Sequence, residues 1–344
     1  MKPLRIALAG LGVIGRAHLE WIGASAECVA CAVADPFAAA APSGLPLYRS
    51  LGELIDRERP DGVILATPNA VHVDGAIECI AAGIPCLVEK PVADTLADAS
   101  RLAAAVAASS VAVLVGHHRR HSPILQAAAA AIAAGAVGRV VAVMASAVFA
   151  KPASYFQEAP WRRQPGGGPI LINLVHEIDN LRQLVGEISQ VQALASNAVR
   201  GFAVEDTVAI NLRFANGALG TFMLSDCAAS VRSWEQTSGE NKAYDHHGDE
   251  DCYLVAGTRG SLAVPTLRLH QAEGEASWFE PLAASRLEAA RADPLQRQLA
   301  HFCAMIRGEA PPLVPVAEAL KTLDITLAVA AAAANRQAQP CFTE

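Results

Sequence analysis

The first third of the chain alternates between short apolar runs and longer segments that mix apolar and polar positions. The apolar runs predict buried strands near residue 6 and over residues 27–34, 62–66, 85–88 and 111–115. The mixed segments predict helices from about residue 16 and over residues 51–58, 73–82 and 96–108. Strands that alternate with helices in this way are typical of an α/β domain with a doubly wound parallel sheet.

From Ser122 onward the pattern changes. One helix is predicted over residues 123–134, and β-like runs follow over residues 140–148, 188–198, 207–214, 218–225, 252–256 and 261–264. Turn signals such as Asn216-Gly217 separate several of these runs, and most have no helix between them. Consecutive strands of this kind form hairpins. We therefore predict a C-terminal α+β domain with an open-faced, mainly antiparallel sheet, and two closing helices over residues 294–307 and 316–336.

Length and composition agree with two well-buried domains. A chain of 344 residues, 52% hydrophobic and 18% charged, is longer than one core usually serves. We predict a first domain over residues 1–121, a second over residues 122–314, and a C-terminal helix and tail over residues 315–344 that close onto the first domain. A net charge of −7 with no basic block argues against nucleic acid as a partner. The alanine-rich tracts are too short or too closely flanked by charge to span a membrane, so we expect a cytoplasmic protein.

The segment Gly10-Leu-Gly-Val-Ile-Gly15 joins the first predicted strand to the first helix. In a dinucleotide-binding turn the first glycine permits the tight bend, the second lets the backbone approach the pyrophosphate, and the third lets helix and strand pack closely. The helix amides and dipole then hold the anion. This assigns cofactor contacts to Gly10, Gly12, Val13, Ile14 and Gly15.

An acidic residue follows the second predicted strand. Asp35 lies 20 positions beyond Gly15, where a carboxylate accepts hydrogen bonds from the adenosine ribose and repels a 2′-phosphate. The pattern therefore favours NAD over NADP. Because a glycine turn alone is weak support, the ordered succession of strand, turn, helix, strand and acid carries this prediction.

Other polar residues follow strand ends. Thr67 and Asn69 come after the third predicted strand, Glu89 and Lys90 after the fourth, and residues 116–121 after the fifth. Ligands of parallel sheets lie beyond the carboxyl ends of the strands, so these residues are expected to border one crevice. A strand-end lysine is usually a solvated charge, but the proline that follows Lys90 favours a rigid placement and permits a cis bond.

A second chemical stretch contains three glycines, Gly166 to Gly168, followed by a predicted helix over residues 170–184. Its apolar positions gather on one side, and His176 falls on the opposite side. That polar face also carries Asn173, Asp179, Asn180 and Gln183. A histidine on such a face is usually a surface residue, but the oxidation of an alcohol needs a base of near-neutral pKa, which His176 can supply.

Together these motifs resemble the family of glucose-fructose oxidoreductase and myo-inositol dehydrogenase (Gfo/Idh/MocA), over nearly the whole chain. The likeness is carried by Gly10 to Gly15, Ala66 to Ala70 with His72, Glu89 to Pro91, Gly116 to Arg120 with Pro123, and Gly166 to Gly168 leading to His176 and Asp179. It implies a Rossmann domain that binds NAD. It further implies cofactor contacts from Thr67, Asn69, His72, Glu89 and Lys90.

The resemblance also implies catalytic roles for Lys90 and His176. Lys90 would hydrogen-bond the reacting oxygen and stabilise alkoxide charge, and His176 would accept the proton. Many members carry an aspartate four residues before this histidine, whereas this chain has Ile172. Asn173 can orient a substrate hydroxyl or the imidazole ring, but it cannot act as a base. Whether Asp179 supplies the missing charge is left open.

Further substrate contacts are expected from Tyr155, Trp161, Arg162, His117 and Arg119. The aromatic and basic loop that contains the first three is equally compatible with a subunit contact. The three histidines at 117, 118 and 121 have no carboxylate or cysteine at metal-ligand spacing. No metal is therefore expected, and the pair at 246 and 247 is predicted to lie on a loop over the sheet.

The sequence thus predicts an NAD-dependent dehydrogenase acting on a secondary hydroxyl of a sugar, cyclitol or similar polyhydroxylated ring. One alternative is a dehydrogenase of a dihydrodiol or hydroxylated ring acid, in which Arg162 or Arg163 would hold a carboxylate. Another is a nucleotide-binding sensor of the same fold without catalysis. An open apolar sheet face also predicts a homodimer or homotetramer.

Overall fold

The computed structural model describes residues 2–335, 337 and 339–341 of the chain. It forms two compact units. Unit 1 consists of the residues up to 121 together with residues 294–323, and unit 2 of residues 122–293 together with those from 324 onward. The division after His121 coincides with the change in sequence pattern. The grouping of residues 294–323 with unit 1 differs from the predicted division.

Unit 1 contains a six-stranded, wholly parallel sheet with strand order β3-β2-β1-β4-β5-β6. The order reverses between β1 and β4, as in a doubly wound Rossmann sheet, and ligands of such sheets bind at this reversal. Its elements are β1 (Leu4–Ala9), α1 (Val13–Ala24), β2 (Cys28–Ala34), β3 (Leu47–Tyr48), α2 (Leu51–Glu58), β4 (Gly62–Leu65), α3 (His72–Ala81), β5 (Cys86–Val88), α4 (Leu96–Ala107) and β6 (Val113–Val115). The predicted fold class of this unit is confirmed.

The helix and strand boundaries of unit 1 follow local chemistry. All residues of β4 and β5 are buried, which explains why these strands read as unbroken apolar runs. Ser50 caps α2 by accepting from the Glu53 amide, and Thr95 caps α4 by accepting from the Asp98 amide. Only β3 was not predicted, because two residues are too few to show a period.

Unit 2 contains a nine-stranded sheet with strand order β14-β13-β12-β11-β7-β10-β9-β8-β15. The helices and strands after His121 are, in chain order, α5 (Pro123–Ala133), β7 (Val140–Val148), α6 (Ala153–Glu158), α7 (Val175–Val185), β8 (Ile188–Ser196), β9 (Thr207–Phe214), β10 (Leu219–Ser225), α8 (Trp234–Ser238), β11 (Tyr253–Gly257), β12 (Gly260–Val264), β13 (Arg268–Gln271), β14 (Ala283–Arg286), α9 (Pro294–Ile306), α10 (Val316–Asn335) and β15 (Gln339–Pro340). Of these, α9 belongs to unit 1. The predicted residue 336 of the last helix lies outside the described residues.

The sheet of unit 2 is mostly antiparallel, as predicted, with one exception. β7 pairs with β10 in parallel, while β11 pairs with the other edge of β7 in antiparallel fashion. β7 therefore occupies the middle of the sheet between the β8-β9-β10 meander and the β11-β12-β13-β14 meander. The sequence pattern did not predict β13 or β14, and every residue of β14 is exposed.

The two faces of the unit 2 sheet differ. On one face Val208, Ile210 and Leu212 of β9 are buried in a core that also contains Ile178 and Leu181 of α7. The opposite face exposes four large apolar side chains, with exposed fractions from 44% to 67%: Met144, Leu194, Leu219 and Met223. The alternation along β9 and β10 is the expected signature of a sheet covered on one side.

The C-terminal helices divide between the units because of what they pack against. A Cβ atom at Gly62 of β4 would lie 2.5 Å from Cδ1 of Ile306, so α9 lies directly on this strand. The Arg307 guanidinium pairs with Glu27 at 2.6 Å. The second part of α10 instead buries Ile325 and Val329 in the core of unit 2. The structure therefore groups residues 294–323 with unit 1 and the rest of α10 with unit 2, whereas the sequence predicted residues 294–314 in the second domain and residues 315–344 closing onto the first.

Among the residues that the structure describes, no helix combines the length and apolar character that a membrane span requires.

Candidate active site

The glycine turn after β1 has two tightly packed glycines and one open glycine. Gly10 has a φ of 95°, and a Cβ there would lie 2.4 Å from the Ala66 carbonyl oxygen. A Cβ at Gly15 would lie 2.0 Å from the Gly10 carbonyl oxygen, so α1 approaches the turn in a way that only glycine allows. At Gly12 a Cβ would have no heavy atom within 4 Å. Space for a ligand therefore lies above Gly12.

The N-terminus of α1 faces that space. Gly12 is its N-cap, no side chain caps the helix, and its first turn contains no acidic residue. Val13 is 81% exposed, so the first helical amides lie near solvent. Uncapped amides at the positive end of a helix dipole attract an anion. These residues fit the pyrophosphate of a dinucleotide, as the sequence predicts.

Asp35 organises the adjoining strand end. Its Oδ2 accepts from the Leu11 amide at 2.9 Å, and its Oδ1 accepts from the amides of Phe37 and Ala38 at 2.8 and 2.9 Å. Burial by itself would raise the pKa of Asp35, but these hydrogen bonds outweigh it and the pKa is lowered. The carboxylate is therefore charged at neutral pH. It ties the glycine turn to the loop after β2, a structural role that the sequence did not predict.

His72 has a different role from the predicted cofactor contact. The side chain is buried, with Nδ1 2.9 Å from the Pro91 carbonyl oxygen and Nε2 2.8 Å from the Thr67 carbonyl oxygen. Each ring nitrogen therefore faces a backbone carbonyl oxygen, and burial lowers the pKa of His72, so the neutral ring donates to one of the two. His72 fastens the loop after β4 to the loop after β5, and its predicted contact with the cofactor stays a prediction.

Glu89 is likewise engaged inside the unit. Its Oε1 lies 2.7 Å from Nε2 of His18 on α1, and its Oε2 accepts from the Lys90 amide at 3.2 Å. The side chains of His18 and Glu89 are at most 5% exposed. Burial alone would raise the pKa of Glu89, but the hydrogen bond and charge of His18 outweigh it and lower the pKa. Glu89 thus forms a buried pair with His18 and holds the Lys90 peptide, and its predicted contact with the cofactor stays a prediction.

The strand ends of unit 1 place several predicted residues side by side. Lys90 is half-buried after β5 and precedes a cis bond to Pro91. A Cβ at Gly116 would lie 3.1 Å from the Glu89 carboxylate, so the end of β6 adjoins the end of β5. Thr67 and Asn69 are half-buried after β4. These strand ends border one edge of the sheet, next to the glycine turn.

The basic turn after β6 is largely internal. Arg119 and His117 are buried, so their predicted substrate contacts stay predictions. His121 is also buried, and its ring centroid lies 5.1 Å from that of His301 on α9. Burial lowers the pKa of His121 to about 3, aided by the neighbouring His301. His121 is therefore neutral and packs α9 against unit 1.

In unit 2 the three consecutive glycines shape the start of the His176 helix. Gly166 has a φ of 90°, and a Cβ at Gly167 would lie 2.5 Å from Cα of Arg162. A Cβ at Gly168 would lie 2.3 Å from the carboxylate of Glu205, which accepts from the Ile170 amide at 2.9 Å. Glu205 thus caps the helix, although sequence reasoning did not identify it. Burial raises the pKa of this carboxyl group.

The helix begins with a π-helical turn, Ile170–Leu174, and continues as α7. π-Helical turns occur often at functional sites. The polar face predicted to be at the surface is buried, with His176 8%, Asp179 1% and Asn180 0% exposed. The reason is that both sides of α7 are covered: Asn180 donates to the hydroxyl of Tyr253 at 2.9 Å, and the same hydroxyl donates to Glu177.

A buried lysine adjoins the π-helical turn. Nζ of Lys151 donates to Oδ1 of Asn173 at 2.7 Å and lies 3.3 Å from the carboxylate of Asp226. It also lies 4.8 Å from the ring centroid of Tyr155. Burial lowers the pKa of Lys151, against the opposing effect of Asp226. The sequence signal was available, because Lys151 precedes a proline at a strand end, as Lys90 does.

The aromatic and basic loop comes together around the same tyrosine. Cζ of Arg162 lies 3.7 Å from the ring centroid of Tyr155, and Nη1 donates to the Tyr155 carbonyl oxygen at 2.7 Å. Trp161 is 55% exposed, and Cζ of Arg163 lies 5.4 Å from the Phe202 ring centroid. Unit 2 therefore gathers Tyr155 and Arg162 with Asn173, through Lys151.

The predicted catalytic pair is divided between the units. Lys90 and the glycine turn belong to unit 1, whereas His176 and Asn173 belong to unit 2. The proximity of Lys90 to His176 stays a prediction. Within the described part of the chain, no group of three or more His, Cys, Asp or Glu side chains is arranged to hold a metal ion.

The sequence matches two protein-family models. Residues 4–117 match the oxidoreductase family with an NAD-binding Rossmann fold, and residues 125–263 match the GFO/IDH/MocA C-terminal domain. The 1,5-anhydro-D-fructose reductase of Ensifer adhaerens is 30% identical over 296 residues, 84% of this chain and 82% of the relative. The inositol 2-dehydrogenase of Rubrobacter xylanophilus is 28% identical over 331 residues, 90% and 85% of the two chains.

Two further comparisons concern a partial relative and a solved structure. The rhizopine catabolism protein MocA of Rhizobium meliloti is 34% identical over 192 residues, and the match spans 54% of this chain and 59% of MocA. The crystal structure of the WlbA dehydrogenase from Bordetella pertussis, in complex with NADH and UDP-GlcNAcA, has a TM-score of 0.79 at 22% identity and covers all of both chains. This likeness shows the fold.

Proposed function

Since the chain belongs to the GFO/IDH/MocA family of oxidoreductases, we propose that it is an NAD-dependent dehydrogenase acting on a secondary hydroxyl of a sugar, cyclitol or similar polyhydroxylated ring. The observation that carries the proposal is the open space above Gly12, bordered by the uncapped N-terminus of α1. When bound, NAD supplies the hydride acceptor. Two relatives support this substrate class: one is named 1,5-anhydro-D-fructose reductase and the other inositol 2-dehydrogenase.

Asp35 supports the preference for NAD over NADP. Its pKa is lowered, so a charged carboxylate stands at the end of β2. A 2′-phosphate at this position would meet a like charge. The adjacent Arg49 is engaged with backbone carbonyl oxygens of the loop, at 2.7 Å from Ala38 and 3.2 Å from Pro36. The Asp35 carboxylate is therefore the group proposed to accept hydrogen bonds from the ribose hydroxyls.

Lys90 is proposed to hydrogen-bond the reacting oxygen. An ammonium group stabilises the negative charge that develops on that oxygen as its proton leaves, before carbon gives up hydride and the carbonyl forms. The His18–Glu89 pair holds the Lys90 peptide, and His72 fastens the following residue. The Lys90 backbone is thereby fixed before the substrate arrives, which limits the reorganisation needed during reaction.

His176 is proposed to accept the hydroxyl proton. An imidazole has the near-neutral basicity that this step needs. Glu205 and the three glycines fix the start of the helix that carries His176. Asn173, one turn earlier on this helix, then faces the same substrate.

Lys90→Met provides the direct test. The variant is expected to lose turnover by at least about 100-fold, because one charge-stabilising donor is removed, while the Kd for NAD changes by less than threefold. Reduced nicotinamide absorbance is followed with a panel of aldoses and cyclitols, and NAD binding is measured by calorimetry. Lys242→Met, at an exposed lysine of unit 2, is the matched control.

Retained turnover in Lys90→Met would refute the proposed role of Lys90. Tight NAD binding by the unmodified protein without turnover of any compound would favour a sensor.

The exposed apolar face of the unit 2 sheet supports a homodimer or homotetramer. Met144, Leu194, Leu219 and Met223 lie on this face, and a patch of such side chains is typical of a subunit contact. Sedimentation equilibrium of the purified protein tests this, and a monomer at micromolar concentration would contradict it.

A further inference from the structure

We propose that unit 2 selects substrates that carry a carboxylate, which the guanidinium of Arg162 and the side-chain amide of Asn173 bind. The inference rests on the proposed function, because it names the substrate class of that same site. It has two supports: the orientation of one amide, and the arginines without carboxylate partners.

The orientation of the Asn173 amide is determined by Lys151. An ammonium group can only donate hydrogen bonds, so the atom 2.7 Å from Nζ of Lys151 must be the carbonyl oxygen of the amide. The NH₂ group of Asn173 therefore points away from the lysine. Asn173 is half-buried, and within the described residues its NH₂ group donates to no other side chain. The site thus presents a donor to a ligand.

Lys151 is held in place so that this orientation persists. Asp226 lies 3.3 Å from its Nζ and also accepts from Nε of Arg200 at 2.9 Å. The ring of Tyr155 lies against the ammonium. Because the lysine side chain is only 9% exposed, solvent does not compete for these contacts. Lys151 is accordingly a positioning residue, and Asn173 is the group that touches substrate.

Arg162 supplies the positive charge. Its guanidinium stacks 3.7 Å from the ring centroid of Tyr155. Its Nη1 is taken by a carbonyl oxygen, whereas its buried Nε has no hydrogen-bond partner among the described residues. A guanidinium stacked on a ring keeps its edge available for a carboxylate. The same ring of Tyr155 also contacts Lys151, which links Arg162 to the Asn173 amide.

Two guanidinium groups beside this site have no carboxylate partner among the residues that the structure describes. Asp226 pairs with Lys151 and Arg200. Neither Arg162 nor Arg163 forms an ion pair with any described residue. A half-buried arginine without a counter-ion is stabilised by an anionic ligand. The cluster therefore favours a ligand with negative charge.

The donor of Asn173 and the charge of Arg162 specify the same kind of ligand. Donor groups complement the acceptor oxygens of a carboxylate. The preferred substrate is therefore a hydroxylated ring acid.

The binding test uses the NADH-loaded protein and two matched pairs of probes: D-glucuronate with D-glucose, and quinate with myo-inositol. Calorimetry is expected to show that the carboxylated member of at least one pair binds tenfold or more tightly than its neutral partner. Arg162→Met should weaken that binding by about 10- to 100-fold, the range of a charge-assisted hydrogen bond. Asn173→Asp, which keeps the acceptor for Lys151 but removes the donor, should abolish the preference.

Two controls accompany these variants. Arg213→Met removes an exposed arginine at the C-terminal end of β9 and should leave the preference for the carboxylated probe unchanged. Arg162→Lys keeps the charge without the bidentate edge, so it should retain part of the preference even if Arg162→Met folds poorly. A further readout addresses Lys151: Lys151→Met should lower the preference for the acid while the Kd for NADH stays constant.

The outcomes separate this inference from the proposed function. Equal or tighter binding of the neutral probes, no measurable binding of either acid, or an unchanged preference in Arg162→Met would overturn the inference, even if neutral sugars are oxidised. A carboxylate preference that depends on Arg162, together with no reduction of NAD by any probe, would support the inference and contradict the dehydrogenase proposal.

Discussion

The buried pair of His18 and Glu89 predicts an unequal response to removal of its two members. Nε2 of His18 lies 2.7 Å from Oε1 of Glu89, and the two side chains are 2% and 5% exposed. His18→Leu leaves a buried carboxyl group without its imidazole partner. Glu89→Gln leaves a buried imidazole beside a neutral amide. Only the first change leaves a buried carboxylate without its partner.

The size of the difference follows from the cost of protonating a carboxylate. A buried carboxylate without its partner takes up a proton, and from an ordinary pKa of about 4.3 this costs about 3.7 kcal/mol at pH 7, at 1.36 kcal/mol per pH unit. At pH 5 the same step costs only about 1 kcal/mol. Glu89→Gln keeps a polar partner beside the imidazole and buries no carboxylate, so it should cost about 1 kcal/mol, the value of a hydrogen bond.

The direction with pH can be checked separately. In the unmodified protein the pKa of Glu89 is lowered. Its contribution to stability is therefore present above the unfolded-state pKa and is lost as the pH falls through the folded-state pKa. In His18→Leu, burial, the largest influence on this pKa, is opposed only by the charges of Lys90 and His118, so the pKa of Glu89 should rise. The destabilisation caused by this substitution should consequently grow as the pH rises from 5 to 7.

Urea denaturation followed by circular dichroism measures these free energies between pH 5 and 8. His270→Leu, at an exposed histidine of β13, controls for the loss of an imidazole. The expected result for His18→Leu is a loss of about 3–4 kcal/mol at pH 7 that falls to about 1 kcal/mol at pH 5. Equal losses for His18→Leu and Glu89→Gln at pH 7, or a loss that does not change with pH, would refute this reasoning.

Two further substitutions test the cofactor site. Asp35→Ala leaves three backbone amides without an acceptor and should lower the free energy of unfolding in urea by about 1–3 kcal/mol. Because the pKa of Asp35 is lowered in the folded protein, this loss should disappear as the pH falls below about 4. The ratio of the Kd values for NAD and NADP should also shift toward NADP, and an unchanged ratio would contradict the proposed role of Asp35. Gly10→Ala places a methyl group 2.4 Å from a carbonyl oxygen at a φ of 95° and should weaken NAD binding at least about tenfold. Gly44→Ala, at a φ of 69° with open space around it, controls for backbone strain alone.

Local pattern was sufficient for most of the elements. The predicted bounds of α2, β7 and β9 agree with the structure to the residue, because the period of apolar residues and the capping residues are properties of neighbouring positions. The parallel sheet of unit 1 followed from the alternation of strand and helix. The glycine turn after β1 was also predictable, since a positive φ and a close helix approach each need glycine at a defined position.

The partners of the buried polar groups depended on the tertiary structure. His18 and Glu89 are 71 positions apart, and Lys151 reaches Asn173 across 22 positions. Periodicity described His176 as facing solvent, yet its helix is covered on both sides. A periodic pattern reports which face of an element is apolar, but not whether another element satisfies its polar face.

The placement of α9 shows the same limit for domain boundaries. Its amphipathic sequence predicted a helix but not the surface that it covers, and contact with Gly62 of β4 assigns it to unit 1. Secondary structure therefore came from the sequence, because it depends on neighbouring residues. Which buried polar groups meet, and which side chains hold the loops after the strands, was decided by the fold, because those contacts join residues that are distant along the chain.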